Sequence, residues 1–304
     1  MSARRTFPLV PRRRLQGTPF GERRSARRGR GTDVAGTRPY IPGDPVSTID
    51  WFASARLSAS SGRDEFVVRE TYAEEAPRVL LVVDRSLSMG LYGGELPFLD
   101  KPAATIVAAE AVARAAAQAR SELGQADAEG GRTHFLSPGG VAPRHVLDRV
   151  RRARFDAPAG SLARTLSALL NRRAELPQGT FVFILSDFLE EPGAPLLSRL
   201  RSTLWDVVPV VIQDPVWEQS FPRIPGVVVP FALPGDDTQV LVRLSETEVA
   251  RRARENEARL DGLLRRFRSH EFDPVVLGTS AAATVDAAFL EWAQRRKLRG
   301  RRRR

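Results

Sequence analysis

Oxygen-bearing side chains follow the first strongly apolar run of the sequence at alternate positions. Asp84, Ser86 and Ser88 form a D-x-S-x-S sequence directly after residues 78–83. Alternate residues of a gently turning loop can direct one carboxylate and two hydroxyls at one point. Oxygen atoms in this arrangement make up half of the octahedral shell that Mg²⁺ requires.

Two further residues are candidates for the rest of this shell. Asp187 ends a second apolar run at residues 180–185, and Ser161 begins a predicted helix. The competing interpretation of D-x-S-x-S is a helix cap, because Asp and Ser are favoured at that position. The second apolar run, which also ends in an aspartate, favours the metal site, with Mg²⁺, Mn²⁺ or Ca²⁺ as the ion.

The composition restricts the metal to one that oxygen atoms bind. The chain has no cysteine, and its three histidines are scattered at His134, His145 and His270. These counts exclude disulfides, thiolate zinc sites and cysteine nucleophiles, and they exclude a histidine-rich metal site.

The elements that must position these residues alternate in the order of an α/β fold. From residue 78 onward, short β-branched apolar runs alternate with longer helical patterns, which predicts a doubly wound, mostly parallel sheet with helices on both faces. Predicted strands cover residues 78–84, 132–136, 180–185, 206–212 and 273–277, and a β-hairpin insertion is predicted at about 226–244 with a turn at 234–237. In such a sheet the functional crevice lies beyond the carboxyl ends of the strands, where Asp84 and Asp187 stand.

Three spaced motifs precede the predicted sheet. They read R-x-Y-x-P-G-D at residues 38–44, I-D-W at 49–51 and A-R at 55–56. Pro42 and Gly43 predict a type II turn, and residues 66–72 predict a strand at the edge of the main sheet. We expect Asp44, Asp50 and Arg56 to form a charge-assisted network. We expect Trp51 to be a packed anchor. The signature residues of these motifs are Arg38, Tyr40, Gly43, Asp44, Asp50, Trp51 and Arg56.

The D-x-S-x-S sequence after a first apolar strand resembles the metal-ion-dependent adhesion site of von Willebrand factor A and integrin inserted domains. The resemblance implies a von Willebrand factor A-like, Rossmann-like fold in which Ser86 and Ser88 bind the ion directly and Asp84 and Asp187 act through water. It places Ser161 where the family usually has threonine. Serine lacks the methyl group that restricts the rotamer, and Thr165 leaves a different placement of this loop open.

The order of the upstream motifs resembles the bacterial family known as domain of unknown function 58, over roughly residues 29–297. Members of that family are associated with MoxR-type AAA+ ATPases. The resemblance therefore implies a non-enzymatic adaptor that binds an exposed Asp or Glu of a protein partner through the metal ion, and that works with such an ATPase.

A catalytic alternative fits the sequence less well. An aspartate after the first strand also begins the haloacid dehalogenase phosphatase motif, but that motif needs a second aspartate where this chain has Ser86. The sequence also contains neither a G-x-S-x-G elbow nor a P-loop.

The net charge of +11 is concentrated at the two ends of the chain. Residues 1–30 hold ten arginines and one glutamate, and residues 295–304 hold eight basic residues and no acid, whereas residues 31–294 have a net charge of −6. Such segments are too polar to fold alone. They provide a second functional hypothesis, which is binding to nucleic acid or to an anionic membrane surface.

These patterns predict four segments. They are a basic disordered tail at 1–30, an extension at 31–76 that packs on the main domain, the von Willebrand factor A-like domain at 77–297, and an arginine-rich tail at 298–304. The N-terminal residues lack the apolar core of a secretory signal. No run approaches the roughly 18 apolar residues of a membrane span, so we expect a cytoplasmic protein.

Overall fold

The computed structural model describes residues 5–12, 34–71, 78–91, 98–232 and 239–302. It divides into two compact units, one formed by Met1–Arg13 with Pro77–Arg304 and the other by Arg14–Ala76. Most of the predicted N-terminal tail, the hairpin turn at 234–237 and residues 303–304 lie outside the described residues. Within the described ranges, no helix is long and apolar enough to cross a membrane.

The described residues of the smaller unit form a two-stranded sheet, a short 3-10 helix and one α-helix. Strand β1 (Val34–Pro39) pairs antiparallel with β2 (Val67–Thr71), and helix α1 (Trp51–Ser61) lies between them in the chain. The helix ends at Gly62, whose φ of 69° is the left-handed conformation that favours glycine at a helix C-terminus. The prediction that residues 66–72 form an edge strand of the main sheet is therefore wrong, because β2 pairs with β1.

The larger unit alternates strands with helices. Its strands are β3 (Val79–Val83), β4 (Leu123–Glu129), β5 (Arg132–Leu136), β6 (Phe181–Ser186), β7 (Asp206–Ile212), β8 (Val228–Ala232), β9 (Gln239–Arg243) and β10 (Val275–Leu277). Its helices are α2 (Lys101–Gln118), α3 (Pro143–Arg151), α4 (Ser161–Leu170), α5 (Ala194–Ser202), α6 (Glu246–Ser269) and α7 (Ala282–Arg302).

Six of these strands form the central sheet in the order β10-β7-β6-β3-β4-β5. All neighbours are parallel except β5, which runs antiparallel to β4. Chain order reverses between β3 and β6, which makes their carboxyl ends the topological switch point of the sheet. Strands β8 and β9 form a separate antiparallel hairpin within the range expected for the insertion.

Two apolar cores cover the two faces of the sheet. Alternate residues of β3 point to opposite faces, so Val79, Leu81 and Val83 join the core that contains α2 and α7 residues, and Leu80 and Val82 join the core that contains α4, α5 and α6 residues. All five residues of β3 are buried. The predicted α/β architecture with a mostly parallel sheet between helices is confirmed.

The expected boundaries of the two tails need correction. Phe7 is buried in the first core, and Leu9 and Val10 pack against it, so residues 5–12 are part of the folded unit rather than a solvated tail. Helix α7 continues to Arg302, so residues 298–302 of the predicted C-terminal tail are helical. Burial of apolar side chains accounts for the first change, because Phe7, Leu9 and Val10 interrupt the arginines.

Candidate metal centre

Asp84 stands at the switch point, directly after β3. Its backbone amide donates to the carbonyl of Leu185 at 3.0 Å, which continues the pairing of β3 with β6. Its Oδ1 accepts from the Ser86 amide at 2.9 Å and its Oδ2 from the Ser186 hydroxyl at 2.6 Å. Burial raises the pKa of Asp84, hydrogen bonds from Ser186 and Ser86 partly oppose this change, and the charge of Asp187 adds to it.

The two serines of the D-x-S-x-S loop present their hydroxyls side by side. Ser86 Oγ and Ser88 Oγ are 3.1 Å apart, and both residues are partly buried. Ser86 also forms a parallel bridge with Ala157, whose amide donates to the carbonyl of Arg85 at 2.9 Å. This bridge brings the loop after β3 next to the segment that leads into Ser161.

Ser161 is the first residue of α4 and is almost completely buried. It follows Gly160, whose φ of 74° lets the chain turn into the helix and whose amide donates to Glu190 Oε2 at 2.7 Å. The Ser161 hydroxyl has no hydrogen-bond partner among the residues that the structure describes, and the same holds for the Thr165 hydroxyl one turn later. Buried hydroxyls are normally satisfied, so two such groups on one helix face need an explanation.

Asp187 follows β6 and is likewise buried. Its Oδ1 accepts from the Leu189 amide at 3.0 Å and its Oδ2 from the Lys101 ammonium at 2.9 Å. The next residue, Phe188, has a φ of 50°, an uncommon value for a bulky side chain that often marks a functional site. The structure therefore brings Asp84, Ser86, Ser88 and Asp187 to the carboxyl ends of β3 and β6, and the Ala157 bridge places the segment that leads into Ser161 beside the same loop.

Lys101 is a member of this cluster that the sequence pattern did not reveal. It is the first residue of α2 and is completely buried, and its Nζ donates to Asp187 and, at 2.5 Å, to Glu218 Oε1. Burial disfavours the ammonium, but the two carboxylates outweigh burial and raise the pKa of Lys101. A lysine at a helix N-terminus is unfavourable with respect to the helix dipole. Its position in the sequence was therefore the one indication that the lysine charge is paired with an acidic residue from another element.

The side chain of Arg85, between Asp84 and Ser86, attaches the D-x-S-x-S loop to strand β4. Its Nη2 donates to Asp127 Oδ2 at 2.5 Å, and both side chains are buried. Asp127 lies in β4 and also accepts from Arg149 at 2.8 Å and from Gln125 at 2.9 Å. The loop that carries the two serines is thus attached to β4 by an ion pair as well as to β6 by backbone bonds.

The donor set fits a hard divalent cation. The candidate donors are three hydroxyls and two carboxylates, one of the hydroxyls is buried without a partner among the described residues, and the two aspartates lie close enough for their charges to repel. In the described part of the chain, no three His, Cys, Asp or Glu side chains form a metal-binding cluster. Hydroxyl oxygens would therefore have to supply most of the direct ligands, as Mg²⁺ with retained waters permits.

The upstream signature residues lie in the smaller unit. Arg38 donates from both Nη atoms to Asp44 at 2.7 Å, and the Asp44 amide donates to the Ile41 carbonyl at 3.0 Å across a turn in which Gly43 has a φ of 107°. Within the same unit, the Tyr40 amide donates to the Phe66 carbonyl at 2.8 Å. The positive φ of Gly43 is what a type II turn requires.

Two expectations for these residues are wrong. Asp50 pairs with Arg69 at 2.8 Å and caps α1 through the Ala53 amide, whereas no ion pair or hydrogen bond joins the Arg56 side chain to a described residue. Trp51 is 58% exposed, and its ring has an edge-on contact with the Phe66 ring at a centroid distance of 6.1 Å, so it is not a packed anchor. Helical geometry explains both findings, because Trp51 and Arg56 lie on exposed positions of α1.

Comparisons with known proteins give relatives without an assigned activity. The chain is 29% identical over 218 residues to uncharacterized proteins of Mycobacterium bovis and Mycobacterium tuberculosis, which covers 70% of this chain. The chain spans about 65% of the length of these curated relatives.

Two solved structures resemble the chain more distantly. One is the conserved hypothetical protein BatB of Bacteroides thetaiotaomicron, with a TM-score of 0.41 at 12% identity, covering 72% of this chain and 99% of that chain. The other is an aerotolerance-related membrane protein of Bacteroides fragilis carrying multiple mutations to serines, with a TM-score of 0.40 at 11% identity and the same coverage.

A family model matches most of the chain. The matched residues are 36–261, which include the upstream motifs and all five candidate ligands. The chain therefore belongs to the family described as protein of unknown function DUF58.

Proposed function

We propose that this protein is a metal-dependent protein-interaction module and not an enzyme. In this proposal Ser86, Ser88 and Ser161 bind a divalent cation directly, and Asp84 and Asp187 hold its waters. Mg²⁺ is the ion that best suits a centre with few direct carboxylates, and Mn²⁺ or Ca²⁺ are the alternatives. An exposed Asp or Glu of a protein partner completes the shell.

The observation that carries the proposal is the Ser161 hydroxyl. The hydroxyl is buried at the start of α4, just after the segment that bridges to Ser86 through Ala157, and it has no partner among the described residues. An unsatisfied buried hydroxyl costs roughly 1–3 kcal/mol. A cation in the crevice would satisfy this oxygen and would offset the repulsion between Asp84 and Asp187.

The fold supports the same proposal. A doubly wound sheet that is parallel except for one edge strand, with D-x-S-x-S after its first strand, is consistent with a von Willebrand factor A-like domain. Direct ligands that are mostly neutral leave the ion electron-poor, so it favours an additional anionic oxygen. This chemistry suits binding to an acidic side chain, and by family resemblance we propose a MoxR-type AAA+ ATPase as a working partner.

Titration calorimetry with Mg²⁺ on the EDTA-stripped full chain tests the proposal. We expect saturable binding to the wild type and its loss in Asp84→Ala. Ser161→Ala should weaken binding at least about tenfold, or about 1.4 kcal/mol, while leaving the metal-free protein as stable as the wild type or more stable, because it removes an unsatisfied group.

Thr165→Val is the matched control, because Thr165 carries the other unsatisfied hydroxyl of α4. Unchanged Mg²⁺ binding in this variant supports Ser161 as the ligand. If Thr165→Val loses the metal and Ser161→Ala keeps it, the assignment of Ser161 is wrong. Absence of Mg²⁺, Mn²⁺ and Ca²⁺ binding in the wild type would contradict the proposed function itself.

A further inference from the structure

A lysine ammonium lies directly against one of the proposed metal-centre aspartates. Lys101 Nζ is 2.9 Å from Asp187 Oδ2 and 2.5 Å from Glu218 Oε1, and the lysine side chain has no exposed area. Glu218 is itself held in place, because its Oε2 accepts from the Asp214 amide at 2.8 Å and its carbonyl accepts from Arg259. The ammonium therefore has a defined position beside the crevice.

We propose that Lys101 is an internal competitor for Asp187, which keeps the centre intact without metal and makes divalent-cation binding weaker and more readily reversible. This inference rests on the proposed function and adds a regulatory residue to the same centre. Lys101 acts here as a positioning residue, since it contacts Asp187 and not the partner.

Lys101 is expected to weaken cation binding because both carboxylate oxygens of Asp187 already accept hydrogen bonds. Asp187 Oδ2 already accepts from Lys101, and Oδ1 already accepts from the Leu189 amide. A water or ion that approaches Asp187 must share Oδ2 with the ammonium or Oδ1 with the Leu189 amide, and a cation is also repelled by the ammonium charge. Even at the dielectric constant of water, one charge acting on a divalent ion several ångströms away changes affinity by about tenfold or more.

The same contact explains how the centre keeps its shape when no ion is bound. Asp84, Asp187 and Glu218 are all buried, and like-charge repulsion among them would oppose folding without a cation. Lys101 supplies the compensating positive charge from the start of α2. Asp100 accepts from the Ala103 amide at 2.8 Å and fixes this end of the helix. A purely structural lysine would stabilise the fold and would leave the affinity for Mg²⁺ unchanged.

Calorimetric titration of Mg²⁺ into the EDTA-stripped full chain distinguishes these roles. We expect Lys101→Met to bind Mg²⁺ about tenfold or more tightly than the wild type, and Lys101→Arg, which keeps the charge, to remain close to the wild type. Thermal unfolding gives a second measurement, in which Mg²⁺ should raise the melting temperature of Lys101→Met by more than that of the wild type.

A second variant covers the case in which Lys101→Met does not fold. Lys101→Met combined with Glu218→Gln removes the ammonium together with its second carboxylate, so the net charge beside Asp187 is unchanged while its contact with a positive charge is lost. We expect it also to bind Mg²⁺ more tightly than the wild type, because the removed positive charge contacts Asp187 directly.

The outcomes separate this inference from the proposed function. Equal Mg²⁺ affinity in the wild type and both lysine-free variants overturns the role of Lys101 and leaves the metal centre standing. Tighter Mg²⁺ binding by a lysine-free variant than by the wild type supports competition by Lys101. Absence of binding in every protein overturns both proposals.

Discussion

Buried hydroxyls of this chain differ in whether they have hydrogen-bond partners. In the smaller unit, the buried Ser54 hydroxyl accepts from the Val67 amide at 3.0 Å and donates to the Asp50 carbonyl at 2.7 Å. In helix α4, by contrast, the Ser161 and Thr165 hydroxyls are buried and have no partner in the described part of the chain. Satisfied hydroxyls such as that of Ser54 hold a structure together, whereas the unsatisfied hydroxyl of Ser161 leaves coordination capacity for the proposed ion.

The carboxyl group of Asp50 provides a prediction at the residue scale. The hydrogen bond from Arg69, together with the bond from the Ala53 amide, lowers the pKa of Asp50 from its ordinary 3.8 to about 2. Because the folded-state pKa is depressed, the stabilisation that Asp50 contributes is complete above about pH 4 and is lost as the pH falls through 2. We expect a ¹³C-detected carboxyl titration to give a midpoint near pH 2.

The Arg69→Gln variant should raise this midpoint towards 3.8, because it removes the largest contribution to the shift. Arg56→Gln is the matched control, since the Arg56 side chain has no partner among the described residues. A rise of the Asp50 titration midpoint in Arg56→Gln, but not in Arg69→Gln, would support the Asp50–Arg56 pairing expected from the sequence.

At the scale of elements, β4 is the strand that sequence patterning missed. Its sequence LGQADAE has no β-branched or aromatic residue and contains a glycine and two carboxylates, yet its first six residues are buried. Gly124 is required because a Cβ there would lie 2.5 Å from the Leu136 carbonyl oxygen of β5. Asp127 can be buried because Arg85 and Arg149, which lie outside β4, donate hydrogen bonds to it. The local sequence pattern of β4 does not reveal these partners.

The buried Asp127 therefore supports a stability prediction for this element. Asp127→Ala leaves the Arg85 guanidinium buried without its closest carboxylate, which should lower the free energy of unfolding by about 3–5 kcal/mol. Urea unfolding followed by circular dichroism measures the loss. Asp148→Ala, which removes an exposed pair with Arg151, should change stability by less than about 1 kcal/mol.

A loss below 1 kcal/mol in Asp127→Ala would mean that the ion pair does not hold the D-x-S-x-S loop to β4. In that case the backbone bonds of the loop to β6 and to Ala157 would be its main supports.

At the scale of the whole molecule, the N-terminal residues belong to the larger unit. Phe7 stacks on Phe289 of α7 with ring centroids 4.7 Å apart and meets Phe183 and Trp292 edge-on at 6.3 and 5.8 Å. The Arg12 amide donates to Asp206 Oδ2 at 2.8 Å, and Arg296 donates to the Val10 carbonyl at 3.0 Å. Residues 5–12 thus connect the sheet to α7.

Truncation of Phe7 tests this connection. Phe7→Ala should lower the free energy of unfolding by about 3–5 kcal/mol, because it removes a buried aromatic side chain and leaves a cavity. Leu298→Ala in α7 is the control, since Leu298 is 60% exposed and should change stability by no more than about 0.5 kcal/mol. If Phe7→Ala and the wild type have equal free energies of unfolding in urea, residues 5–12 do not contribute to the stability of the larger unit and are a tail, as the sequence predicted.

The sequence by itself determined the α/β class, most strands of the central sheet and the family. Apolar periodicity records burial on both faces of strands such as β3, and the upstream motifs are local in the chain. Only the tertiary structure decided the location of β4, the pairing of β2 with β1, the exposure of Trp51 and the place of Phe7 in the core. It also brought Lys101 to Asp187, 86 residues away in the chain. Contacts over such separations depend on how elements pack, and a local pattern of residue types does not record them.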